Sequence, residues 1–226
     1  MDWRMNNSCV YCGDYADTRD HVPSKCFLDE PYPDNLKVVP CCRKCNNKFS
    51  KDEEYVSCFI DCMKEKISIP LEIKRLKTHK TLVHSTKLTK EICSQIIPFA
   101  DCIVYDYDKV RFDKVMYKLA YGHLAYENDS LNYDSTYKVT YRLLDNLSKD
   151  SLGIFEKPYQ GDLLPEVGSR SLSKIGGFRI MEGPMGFVSF SDWIIIQNGR
   201  YRYCVSPDSK RVKFVIAEYL AVEVLI

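Results

Sequence analysis

The sequence predicts an α+β fold, and three observations predict it. Two Cys-x-x-Cys pairs, Cys9–Cys12 and Cys42–Cys45, bracket a short, polar segment at the start of the chain. Beyond it the apolar residues Val56, Phe59, Ile60 and Met63 recur at helical spacing. Residues 175–226 carry β-branched and aromatic runs separated by Asn198-Gly199-Arg200 and by residues 206–210 (SPDSK), the punctuation of antiparallel hairpins. The expected outline is a small cysteine-rich N-terminal module, then helices, then an antiparallel β-rich C-terminal part.

The elements follow in order. The run from Asn35 to Pro40 alternates, so Leu36 and Val38 would share one face of a short strand. Ser50 is the expected N-cap of the first helix, with Asp52, Glu53 and Glu54 in a first turn where they complement the helix dipole. Pro70 ends that helix. From Lys64 to Lys90 there are eight Lys/Arg against two Glu, a stretch suited to a nucleic-acid backbone or, equally, to a solvated helix face. Residues 91–100 read as mixed helical and 100–108 (ADCIVYDYD) as a strand. Residues 109–128 read as a helix broken or ended near Gly122. The domain boundaries expected are 1–55 for the N-terminal module and 56–226 for an accessory region, helical over 56–150 and β-rich over 175–226.

A chain of 226 residues, 45% hydrophobic, can bury a sizeable core as one large domain or two small ones. The net charge of +1 excludes a uniformly basic coat, so polyanion binding would need a local patch. The start lacks an apolar h-region, and no run of about 18 apolar residues occurs. No signal peptide, membrane span or membrane partner is therefore expected. Eleven cysteines without a secretory signal point to reduced thiols and a cytoplasmic location.

The two cysteine pairs, with 29 residues between them, fit a tetrahedral zinc site of Cys9, Cys12, Cys42 and Cys45. Each pair presents two thiolates from one tight turn, and the ion staples a module too short for much core of its own. Cys41 adjoins Cys42 and leaves the fourth ligand open, although spacing favours Cys42. Redox chemistry would need one pair on a thioredoxin-like βαβ pattern, which is absent. Cys58 and Cys62, four apart on the predicted helix, read as core thiols ahead of a second metal site.

Between the pairs lie Asp20, His21 and Pro23, then Asn35, and Asn46 directly follows the last cysteine. With the motifs read as CVYC, DHVPSK, NLKVVP and CRKCNNK, residues 9–55 resemble the HNH endonucleases, the ββα-metal nucleases. One position departs from the family name: Asn46 stands where the last histidine would be, and an amide oxygen is also a hard-metal ligand. The resemblance implies an N-terminal HNH module, phosphodiester hydrolysis with DNA ahead of RNA, and a setting in bacterial restriction or phage defence. It also implies His21 as general base, Mg2+ or Mn2+ on Asp20 and Asn46, and Asn35 holding the histidine through the intervening loop.

The chemistry of these residues agrees independently. Histidine titrates near neutral pH and suits a general base, and Asp and Asn oxygens suit Mg2+ or Mn2+. Asp20 and His21 point to opposite sides of a regular strand, so the strand must end or twist there, consistent with Pro23. Asn47 rivals Asn46 as ligand. Lys25, Arg43 and Lys48 are candidate nucleic-acid contacts, or simply solvated side chains. The competing function is a non-catalytic zinc-dependent module for nucleic-acid binding or interaction. A homodimer or a partner protein is compatible with the sequence.

Overall fold

The computed structural model of the chain describes residues 7–100, 102–128, 136–162, 178–183 and 186–226. It divides into two compact units. The first holds the described residues up to Asn46 and those from Met116 on; the second is Asn47–Val115. Helix and antiparallel sheet share the chain, as an α+β fold requires.

The first unit opens with an antiparallel ribbon, β1 (Thr18–His21) and β2 (Val38–Cys41), in which Thr18 pairs with Cys41 and His21 with Val38. The second strand thus starts later than expected and buries Val39 and Cys41 rather than Leu36 and Val38. Leu36 N–H donates to the Pro33 carbonyl at 3.1 Å, so Asn35 and Leu36 still belong to a turn. Helix α1 (Arg43–Glu65) follows directly. It begins well before Ser50, because the Asp17 carboxylate accepts the Arg43 N–H at 2.7 Å and satisfies a first-turn donor. Ser50 lies inside the helix, its hydroxyl donating to the Asn47 carbonyl at 3.3 Å. The helix ends at Glu65, ahead of Pro70, and Lys66 takes a left-handed φ of 52°.

The second unit continues with α2 (Leu76–His84) and α3 (Thr86–Gln95). The stretch expected as mixed helical gives way at Ile96 to a hairpin of β3 (Ile96–Phe99) and β4 (Cys102–Tyr105). Helix α4 spans Lys109–Asn128. Phe59 and Phe112 meet edge-to-face at 5.9 Å between ring centroids, and Tyr55 meets Phe112 in the same way at 6.1 Å, a geometry aromatic quadrupoles favour. Arg111 lies 3.8 Å over the Tyr55 ring and bonds Asp52 at 2.9 Å. Asp52 also pairs with Lys114, so this acid serves a tertiary ion network rather than a helix start.

Gly122 does not break α4. A Cβ there would lie 3.0 Å from Val22 Cγ2 and 3.1 Å from the Tyr11 hydroxyl, so the glycine permits close approach in the first unit. That packing closes a small core of Val10, Val22, Val39 and Ala125. Within the span expected to be helical to residue 150, β5 (Lys138–Leu143) is a strand. After α5 (Lys149–Glu156), capped by the Ser148 hydroxyl, come β6 (Gln160–Asp162), β7 (Phe178–Gly183) and β8 (Gly186–Ser191), a three-stranded sheet ordered β6-β8-β7. The predicted C-terminal hairpins are β9 (Ile194–Gln197), β10 (Tyr201–Val205), β11 (Arg211–Ile216) and β12 (Leu220–Leu225). With β5 they form an antiparallel sheet ordered β5-β12-β11-β10-β9. The central strand β11 is buried from Val212 to Ile216, on both faces.

His123 of α4 packs on this sheet fully buried, its ring 3.7 Å from that of Tyr203 and Nε2 2.9 Å from the Tyr201 hydroxyl. Burial first, then Lys37 and Lys118, pushes its pKa well below the ordinary histidine value. The folded state therefore refuses a proton that the unfolded chain accepts below about pH 6.5. Stability from this residue is complete above that pH and is lost on acidification, at about 1.4 kcal/mol per pH unit. Urea midpoints of His123→Asn are expected to fall less steeply than those of wild type between about pH 7 and about pH 5. Parallel slopes would contradict this.

Candidate metal and catalytic site

The first cysteine pair sits on a tight turn. The Cys9 carbonyl accepts the Gly13 N–H at 2.9 Å, and Gly13 has a φ of 80°, a conformation suited to glycine. Val10 N–H donates to the Pro40 carbonyl at 3.0 Å and ties this turn to β2. The second pair straddles the end of β2 and the first turn of α1. As a result the Sγ atoms of Cys9, Cys12, Cys42 and Cys45 all lie within 4.8 Å of one another.

This cluster could bind a metal such as zinc, and its dimensions fit. Four thiolates at about 2.3 Å from a tetrahedral zinc stand about 3.8 Å apart. Cys12 Sγ and Cys42 Sγ are 3.7 Å apart, and the Cys45 N–H points at Cys42 Sγ at 3.4 Å. Cys41 does not belong to the cluster. Its thiol hydrogen-bonds the Cys9 sulfur, which is the main reason the Cys9 pKa falls to about 4 and the Cys41 thiol is pushed up. Burial raises the thiol of Cys12 to about 11 and that of Cys45 as well. All eleven cysteines are free thiols, and Cys58 and Cys62 are buried.

Asp20 and His21 close strand β1. Asp20 is 6% exposed, and its Oδ2 accepts the Tyr11 hydroxyl at 2.7 Å and the Lys118 ammonium at 2.6 Å. Lys118, itself buried, also donates to the Ser24 hydroxyl at 2.8 Å. His21 is half-buried. Strand β1 does end at it, as expected, but the pairing with β2 stays regular through Asp20 and His21. The two side chains therefore still point to opposite sides, and the twist that would turn them to one site is not there. Burial and then Lys25 depress its pKa, Asp20 opposes them, and Lys118 adds a smaller depression. Asn46, in the first turn of α1, places Nδ2 3.4 Å from Thr18 Oγ1 and 3.5 Å from the Arg19 carbonyl. It thus touches the two residues that precede Asp20.

No family model, curated protein or solved structure matches the chain. The site therefore rests on its own geometry.

The other expected residues are placed as follows. Asn35 is exposed in the Pro33–Leu36 turn, and among the described residues no hydrogen bond joins it to His21. The loop is held instead by the Val22 N–H on the Lys37 carbonyl at 2.9 Å. Lys25 is exposed, 5.0 Å from the Tyr32 ring centroid; Arg43 is exposed, its Nε 3.5 Å from Asp17 Oδ2; Lys48 is exposed on α1. Sequence reasoning missed Tyr11 and Lys118. The signal for Lys118 was its position on the apolar stripe of α4, three residues after Val115 and one before Leu119, both buried.

Asp20 and Asn46 carry a carboxylate and an amide oxygen, the kinds of donor a hard cation takes, but the Asp20 carboxylate is already paired with the buried Lys118 ammonium. With Oδ2 held by Tyr11 and Lys118, the Asp20 carboxylate keeps one orientation. Against the same hairpin lies a cavity of about 720 Å³ whose lining includes Tyr15, Asp17, Arg19, Pro40 and Tyr126.

Proposed function

We propose that the chain is a metal-dependent endonuclease of the HNH type that hydrolyses phosphodiester bonds in nucleic acid, DNA ahead of RNA. One observation carries this reading. Asp20 and His21 end a strand of a strand–strand–helix frame on which the two cysteine pairs converge, and Asn46 reaches the residues beside Asp20. That order of elements is the one the ββα-metal resemblance implies.

Hydrolysis needs a base for water and a sink for the charge that gathers on phosphate and leaving oxygen. His21 is unprotonated at neutral pH, because burial and Lys25 disfavour its charged form, and it takes the proton of the attacking water. Asp20 and Asn46 would hold Mg2+ or Mn2+, which when bound neutralises the charge on the phosphate and the departing oxygen. Tyr11 and Lys118 keep the Asp20 carboxylate turned one way. Lys25 and Arg43 are exposed cations for phosphate oxygens. Tyr15, 73% exposed, offers a ring for a base, and Arg19 lines the same cavity. Zinc on the four cysteines would be structural.

A second reading, a zinc-dependent nucleic-acid-binding module without catalysis, draws on the same carboxylate. A buried ion pair with Lys118 already neutralises Asp20, and Asn35 does not support His21. Plasmid, single-stranded DNA and tRNA incubated with Mg2+ or Mn2+ separate the two. His21→Ala is expected to cut at least about 100-fold more slowly at unchanged zinc content. A wild type that cuts no substrate with either ion, or a His21→Ala variant that cuts as fast, overturns the nuclease. Binding without cutting favours the second reading.

A further inference from the structure

The C-terminal sheet carries a second cavity, of about 520 Å³, lined by residues of α5, the segment after it, β5, β11 and β12. Four cationic side chains, Arg142, Lys157, Arg211 and Lys213, line it against a single carboxylate, Glu223. In a chain whose net charge is only +1, this is a strong local excess. It is also only weakly neutralised. Arg142 stands 3.7 Å from Glu223, whose other oxygen accepts the Tyr159 hydroxyl at 2.9 Å. Lys213 is 4% exposed and gives its protons to the carbonyls of Phe155, at 2.7 Å, and Lys157, so its charge is fixed beneath the cavity. Arg211 and Lys157 are exposed and form no ion pair among the described residues. Arg211 is instead held over the Tyr159 ring, 4.9 Å from its centroid.

We propose that this cavity binds a phosphate-bearing small molecule of nucleotide size, with Arg211 and Lys157 taking the phosphate. A phosphate monoester, carrying between one and two negative charges at neutral pH, matches several cations better than a lone carboxylate does. The volume falls in the usual range of small-molecule sites, and the concave shape suits a compact ligand rather than a strand laid along a surface. Ile154 and Pro158 give the uncharged part of the ligand an apolar wall. The site is independent of the nuclease reading.

Calorimetry on the full chain, in low salt without divalent ions, tests this with AMP, inorganic phosphate and adenosine. AMP is expected to bind, inorganic phosphate more weakly and adenosine not at all. Arg211→Glu combined with Lys157→Glu should weaken AMP at least tenfold at an unchanged circular dichroism spectrum, since both residues are exposed. The proposal is overturned by no AMP binding at millimolar concentration, by adenosine or phosphate binding as tightly as AMP, or by an unaffected variant. Displacement of AMP by an unphosphorylated oligonucleotide of equal affinity would assign the patch to a nucleic-acid backbone and also overturn it.

Discussion

Cys12→Ser is expected to abolish the bound metal and most of the stability of the first unit. Cys12 is exposed, so the substitution itself removes almost no packing, and any large effect must come through the ion. A structural zinc contributes about 10–16 kcal/mol in small zinc modules, as much as the whole stability of an ordinary domain. The wild type should therefore carry about one zinc per chain, and a strong chelator should reproduce the variant's loss of cooperative unfolding. The exposed Cys93→Ser, which is not a member of the cluster, should keep both zinc and stability. Binding must also strip protons from the thiols, that of the buried Cys45 raised by its burial, so zinc retention should weaken as pH falls. A wild type that is folded, cooperative and free of zinc would sink the prediction.

How much of this site could be read in the sequence depends on how local its causes are. The four cysteines were legible because each pair sets its own geometry within one turn, and only the closing of the two turns required the fold. The start of α1 was not. Its N-terminal donor is satisfied by Asp17, from the far side of the loop, and Cys42 to Asn47 read as a polar knuckle rather than as helix. Gly122 read as a breaker because propensity is local, whereas its cause is Val22 against the helix. Strand β5 did carry a signal, in the alternation of Val139, Tyr141 and Leu143, but it lay in a segment assigned to helix by its neighbours. The partners of Asp20 were the least legible: Tyr11 and Lys118 reach it from another turn and from a helix 98 residues on, and nothing near Asp20 announces them.

Lys118→Met is expected to destabilise the protein by about 3–5 kcal/mol, because it leaves the Asp20 carboxylate buried without its counter-charge. The ammonium side chain is 2% exposed and the carboxylate 8%, so water cannot replace the lost partner cheaply. Adding Asp20→Asn to Lys118→Met should recover much of the loss, since removing both charges is far less costly than removing one. Urea unfolding of the two variants measures this, and equal stabilities for them would show that the ion pair is not what holds the strand. The same single variant also bears on function. If Asp20 and Asn46 hold a divalent cation, Mn2+ should stabilise Lys118→Met more than wild type, because the cation then meets a carboxylate with no ammonium competing for it. If Asp20 serves only the ion pair, Mn2+ should move the melting temperature of neither. The lysine thus separates the two readings without any need to observe cleavage.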